Sequence, residues 1–355
     1  MNNPVSFADA HNDLLQRALA GDAIHQRLPD GHSDFVRIRE AGVVLQILSV
    51  WVPVRYEQEG KSPDQAHRLI DAFEKSISQA SDIAATRSSP GKTTYLLGME
   101  GSHPLASDPR QVEVFRRRGI RYLSPTWNNS VSWATSARDE HSPGFSGPKG
   151  LSGAGREMIA EFNRVGIVPD VSHVGERTFW DMIDVSKGPL MASHSACMAL
   201  CSHPRNLTDE QIRAIAMTGG VVCMNFFSGF LDPSYFTRRN ERLTSIRAER
   251  KGPVESDFPN YEAFFTHEDR WIGREVADLR PSIDLLTDHI LHALRIAGED
   301  HVALGSDFDG IETAPAGMES VLDLQKIPGL LKERGLSDQT ISKICSKNLI
   351  RLFTD

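Results

Sequence analysis

Residues 165–194 read VGIVPDVSHVGERTFWDMIDVSKGPLMASH. An apolar run rich in β-branched residues (165–172) is followed by GERTFWDMIDVSKG, whose apolar residues recur at i, i+3 and i+4, and then by a second short apolar run (190–194). The outer pieces have strand character and the middle one helical periodicity, closed by a glycine of the kind that ends helices. Each strand stops at a histidine, His173 after DVS and His194 after MAS. This is a strand–helix–strand unit that carries a metal-capable side chain at the far end of both strands.

The same alternation extends in both directions. Further strand-like runs lie at 5–10, 43–52, 94–100, 120–126, 221–226 and 302–307. Helical patterns separate them at 66–85, 111–119, 153–166, 208–220 and 282–298. Eight strands alternating with helices predict one α/β domain over residues 1–355, a single (β/α)₈ TIM barrel. A length of 355 residues would otherwise suggest two domains. An open doubly wound sheet is the competing architecture, but no GxGxxG follows the first strand. Two segments break the rhythm: a Ser/Gly-rich loop at 128–149 and a long charged insert at 228–278. Both fall after strands, where barrels carry functional loops, lids or subunit contacts.

Charge and cysteine usage narrow the class. With 39 Lys+Arg against 47 Asp+Glu the net charge is −8, which argues against nucleic acid and anionic membranes as partners. No run approaches the length of a membrane span, and MNNPVSFADAHNDLL lacks a basic start and an apolar signal core, so a cytoplasmic protein is expected. The four cysteines, Cys197, Cys201, Cys223 and Cys345, read as buried free thiols. Cys197 and Cys201 have no second pair with which to build a structural zinc site.

The chemistry gathers at strand ends. Asp9, His11 and Asp13 follow one another at period-two spacing in ADAHNDLL, which places all three on one face. Glu100 ends TYLLGME and Asp307 ends VALGSD, while His173 and His194 end the two strands quoted first. All converge at the C-terminal mouth of a barrel, where such folds build active sites. His11, His173 and His194 with Asp13, Glu100 and Asp307 offer three imidazoles and three carboxylates, enough for two metal ions if one carboxylate bridges them. The N/O mixture suits zinc, with manganese, cobalt or iron as alternatives. His103 is expected to order its loop and Asp309 to hold backbone amides. His289 and His292 are expected at the solvent edge of their helix. Trp51, Trp133 and Trp180 read as packing residues, with Trp51 or Trp133 able to line the pocket.

Six motifs in order, DAHNDL, GMEGSH, DVSHVG, ASHSAC, HPRNLTD and GSDFDG, resemble the membrane dipeptidase (renal dipeptidase) family over almost the whole chain. The resemblance implies a binuclear zinc barrel of the amidohydrolase type that hydrolyses free dipeptides, including L-Xaa-D-Xaa, through a hydroxide bridging two Zn²⁺ ions. It makes His11 and Asp13 ligands of the first ion, Glu100 the bridge, and His173 and His194 ligands of the second. Asp307 becomes the acid/base and Arg205, in HPRN, the clamp on the dipeptide carboxylate; the family's habit implies a homodimer. One position departs from the pattern: LSPTWNN has Trp127 where many relatives carry a histidine that contacts the substrate carbonyl. Indole donates one hydrogen bond and takes no proton, so Asn128 or Asn129 is a candidate replacement donor. The same departure leaves a deacylase of N-acyl amino acids as the alternative substrate reading. A non-catalytic barrel would lack the ligand set, which is complete here.

Overall fold

Eight short parallel strands form one sheet: β1 Phe7–Asp9, β2 Val43–Trp51, β3 Thr94–Glu100, β4 Ile120–Leu123, β5 Val168–Pro169, β6 Met191–Ser195, β7 Val221–Met224 and β8 Val302–Leu304. This is a computed structural model, and it describes residues 5–80, 92–249 and 252–353. The strand order is β5-β4-β3-β2-β1-β8-β7-β6. The two ends of that row meet through a parallel bridge between Asp170 and Met191, where Val171 N–H donates to Met191 O at 2.8 Å. The sheet therefore curls into the expected (β/α)₈ barrel.

Period-two alternation sorts the side chains. Val222, Met224, Val302 and Leu304 pack outward against the surrounding helices, whereas Val221, Cys223 and Ala303 fill the barrel with Ala8, Ala10, Ile47 and Tyr122. Leu349, on the last helix (Asn348–Phe353), joins the interior cluster. All four cysteines are buried and unpaired, as their number suggested.

The expected helices form, among them Gly153–Val165, Glu176–Val185, Asp209–Met217 and Ile283–Ala297. That anticipated over 66–85 runs over Ser62–Gln79, and its residues 81–85 lie outside the described ones. Several strands are shorter than their apolar runs, because pairing stops where the chain turns to face the mouth. β1 ends at Asp9, β5 at Pro169 and β8 at Leu304, so His11, His173 and Asp307 sit just beyond strand ends. The insert at 228–278 is largely helical, with Ser228–Leu231, Tyr235–Glu249 and Tyr261–Glu275. Its last helix packs against Leu14–Ala20, the helix that follows β1, and so returns across the mouth.

Candidate active site

Glu100, the last residue of β3, lies between two groups of imidazoles. Its Oε2 is 3.5 Å from His11 Nε2. Its Oε1 faces the other way, 2.7 Å from His173 Nε2 and 3.5 Å from His194 Nε2. The His173 and His194 Nε2 atoms are themselves 2.9 Å apart. On the first side, His11 Nε2 is 3.2 Å from Asp13 Oδ2 and 3.8 Å from Asp307 Oδ1. All these side chains are buried or nearly so.

The donor set is unfinished by protein contacts alone. His11 Nε2 and Asp13 Oδ1 are buried without a hydrogen-bond partner, although His11 Nε2 lies 3.2 Å from the other oxygen of Asp13. Buried polar atoms are normally satisfied, so such orphans call for an explanation. His11, Glu100 and His194 bring ligand atoms within reach of one point, and so do His11, Asp13 and Asp307. Imidazole nitrogens and carboxylate oxygens in this mixture are what a divalent transition metal takes. The residues present therefore fit metal ions.

The ring orientations are set from behind. His11 Nδ1 is 2.6 Å from the Tyr122 hydroxyl, and His194 Nδ1 is 2.8 Å from Ser193 Oγ. Ser193 Oγ in turn lies 2.7 Å from Asp170. Partners of this kind hold an imidazole in one orientation. Tyr122 reaches His11 only because residue 98 is glycine: a Cβ there would stand 2.1 Å from the tyrosine ring. Sequence reading missed Tyr122, Asp170 and Ser193, although Gly98 in the middle of TYLLGME marked a close approach.

Asp307 sits in the left-handed region at φ 61°, and Asp309 follows at φ 62°. Such backbone costs about 1–3 kcal/mol and is kept where the surroundings enforce it. Gly310 is part of that enforcement, since a Cβ there would meet Asp13 Oδ2 at 2.1 Å. Asn225, just past β7, donates from Nδ2 to Asp307 Oδ2 at 2.9 Å, a partner that sequence reading also missed. Burial pushes the Asp307 carboxyl up to about 8; His11 opposes the rise, and Asp13 and Glu100 add to it.

Arg205 is buried against the Phe230 ring, with Nη2 donating to His194 O at 3.3 Å and Nη1 lacking any partner. Burial pulls its pKa down to about 10 although Glu100 and Asp307 favour the cation. Arg205, Asp307, Glu100, His173 and Asp13 line one cavity of about 190 Å³. Trp127 forms part of its wall, with ring centroids 5.0 Å from Trp51 and 6.4 Å from His173. Asn128 also faces the cavity, whereas Asn129 donates to Glu57 at 3.1 Å, so only Asn128 is placed as a replacement donor. The insert adds Phe265 and Asp269.

Other expectations divide. Asp9 does not join the mouth: its carboxylate accepts from Ser306 N and Oγ, both at 2.7 Å, and from Gln46 Nε2 at 2.9 Å. It lies one inward step deeper than His11, so sharing a strand face did not bring it to the cluster. His103 Nε2 lies 2.7 Å from Val52 O, and Asp309 accepts from His32 N at 2.9 Å and Ser33 Oγ at 2.6 Å. Trp133 packs on Phe162 in the core, and Trp180 on Phe179. His289, expected at the solvent edge, is instead buried between Cys197 N and Leu231 O. His292 is half-buried beside Asp209.

A (β/α)₈ barrel whose strand ends direct histidines and carboxylates into one cavity defines the class of metal-dependent barrel hydrolases. The family model for membrane dipeptidase (peptidase family M19) matches residues 2–355, and the chain belongs to that family of metal-dependent dipeptidases. An uncharacterised dipeptidase of Schizosaccharomyces pombe is 29% identical over 344 residues, covering 91% of this chain and 71% of that one. Dipeptidase aclJ of Aspergillus oryzae is 28% identical, over 99% of this chain and 78% of its own. Among solved structures, a Rhodobacter sphaeroides metallopeptidase bound to a phosphinate mimic of L-Ala-D-Ala superposes with a TM-score of 0.78 at 25% identity, covering 99% of both chains. Membership in a metallopeptidase family implies metal ions at this site. Among the described residues no helix is long and apolar enough to cross a membrane.

Proposed function

We propose that this protein is a binuclear zinc dipeptidase acting on free dipeptides, L-Xaa-D-Xaa included, with the whole chain working as one barrel domain. The observation that carries the reading is the division of Glu100: one oxygen turns to His11 and the other to His173 and His194. In this reading His11 and Asp13 would hold one ion and His173 and His194 the other, with Glu100 shared between them. When bound, the ions supply Lewis acidity toward the peptide carbonyl and lower the pKa of water.

The chain's own residues do the rest. Arg205 offers its unpartnered Nη1 to the substrate's terminal carboxylate, a contact suited to a guanidinium fork. Asn225 holds Asp307 Oδ2, which leaves Oδ1, on the His11 side, to accept a proton and return it to the departing amine. Trp51, Trp127 and Phe265 wall the cavity and shed water from the bond under attack. Trp127 carries no charge and offers at most its indole N–H, and Asn128 is a further side-chain donor facing the same cavity. A cavity of about 190 Å³ suits a short substrate. A deacylase of N-acyl amino acids would use the same proton transfer at Asp307, so the two readings separate on substrate alone. The family's habit supports a homodimer.

The test is metal analysis with a substrate panel on one preparation. Two zinc ions per chain are expected, with hydrolysis of L-Ala-D-Ala exceeding that of N-acetyl-D-alanine. Fewer than one ion after zinc reconstitution, or the reverse substrate order, overturns the reading.

A further inference from the structure

The roles assigned so far leave two carboxylates of the cavity unused, Glu312, which is paired with Arg239, and Asp269. Asp269 lies on the helix Tyr261–Glu275 one turn after Phe265, and both line the cavity from the insert. Glu312, Asp307 and Asp309 act on it with Arg239 opposing, and Arg17, Arg270, Arg274 and Arg280 line the cavity on its far side. Arg239 is already engaged: it holds Glu312 through Nε and through Nη2, the latter at 2.5 Å. Among the described residues no hydrogen bond or ion pair reaches the Asp269 carboxylate. Burial first, and then the neighbouring acids, push its pKa well above the ordinary carboxylate range, so this half-buried group facing a cavity lacks the cation that would let it ionise there.

Position narrows what that partner is. Arg205 also lines a small cavity on its own side that Asp269 does not reach, and Asp269 lines one on the other side that Arg205 does not reach. Asp307 lines the cavity that the two share. A dipeptide with its terminal carboxylate on Arg205 and its scissile bond at Asp307 therefore turns its first residue toward Asp269. The wall beside that path is apolar, made by Trp51, Phe265 and Ile311, with the Trp51 and Phe265 rings 5.0 Å apart. Beyond Asp269 a second cavity of about 330 Å³ begins, sharing Asp269, Ile311 and Glu312 with the first. An apolar wall that ends in an unpaired carboxylate matches a side chain with an aliphatic stem and a cationic head.

We propose that Asp269 is a specificity-determining residue that selects dipeptides whose first residue is lysine or arginine. The inference rests on the dipeptidase reading above and names its substrate class.

The experiment compares kcat/KM of the zinc-loaded enzyme for L-Lys-D-Ala, L-Arg-D-Ala, L-norleucyl-D-Ala and L-Glu-D-Ala. The wild type is expected to favour the cationic substrates over the norleucyl one by about tenfold or more, mainly through KM. In Asp269→Asn that ratio falls to near one, Asp269→Glu keeps it, and Asp269→Lys turns the preference toward L-Glu-D-Ala. Each ratio is taken within one preparation, so a poorly folding variant does not shift it, and the wild-type ratio is a test without any variant. A wild-type ratio near one, or an Asp269→Asn enzyme that retains the preference, overturns the assignment while leaving the dipeptidase reading intact. Failure to hydrolyse any dipeptide overturns both.

Discussion

Two sets of buried carboxylates stand a few residues apart in this barrel, and they end in different ways. Asp170 accepts from Ser193 N at 2.8 Å, Ser193 Oγ at 2.7 Å and Ser172 Oγ at 2.9 Å, with Ser124 Oγ as a further donor. Asp9 is satisfied by Ser306 and Gln46 in the same manner. At the mouth, Glu100, Asp13 and Asp307 face imidazoles, and His11 Nε2 and Asp13 Oδ1 are left without partners. Burial alone therefore does not mark the acids proposed to hold metal and carry the proton, because both sets share it. The mark is whether the protein completes their coordination, and at the mouth it does not.

The largest expected effect tests the unfinished set. Asp307→Asn keeps the Asn225 contact and the shape but cannot take a proton, so kcat should fall by about 10²–10⁴. Metal content should stay at the wild-type level; a loss in rate below tenfold with metal intact would place the proton elsewhere. The next effect tests the finished set. Asp170→Asn leaves hydroxyl and amide donors without their anion and should cost about 2–3 kcal/mol in urea unfolding. Because Ser193 links Asp170 to His194, kcat/KM should also fall about 10–100-fold. Wild-type stability in Asp170→Asn would break the comparison. Smaller again is Tyr122→Phe, which removes the hydroxyl 2.6 Å from His11 Nδ1. Metal affinity, read by competition with a chelator, should weaken about tenfold.

The parts of this arrangement that follow from local pattern were legible in the chain. Helical periodicity and apolar runs located the elements around the barrel, and the histidines and acids that halt those runs marked the mouth. What stayed hidden depends on contacts between distant residues. Asp9 and His11 look alike on one strand face, and only Ser306 and Gln46, contributed by other segments, decide that Asp9 is structural. Asn225 in MNFF carries no signal of its own, since its role comes from Asp307 being 82 residues away in sequence and 2.9 Å away in space. Asp269 lay within a charged insert read only as a functional loop, lid or subunit contact, and the return of that helix across the mouth is a tertiary event. His289 was misplaced because its helix has a broad apolar face and the histidine belongs to it.

His289 also gives the comparison its finest test, as an imidazole the protein does satisfy. Cys197 N–H donates to its Nδ1 at 3.0 Å, so the ring proton sits on Nε2, toward Leu231 O. Charging the ring would set a second N–H against that of Cys197. Burial pulls its pKa down to about 4, the Leu231 carbonyl notwithstanding. With the folded value below the unfolded one, the unfolded chain binds more protons between them. Stability is then full above the unfolded pKa and is lost as pH falls toward 4. From pH 7 to pH 6 the loss due to this group should be about 0.7 kcal/mol, rising toward about 1.4 kcal/mol per pH unit below that. Urea unfolding of wild type and His289→Gln at the two pH values isolates it, because the mouth histidines are common to both proteins and cancel. Equal losses in the two would mean that the buried ring keeps an ordinary pKa, and that being enclosed by Cys197 and Leu231 does not hold it neutral.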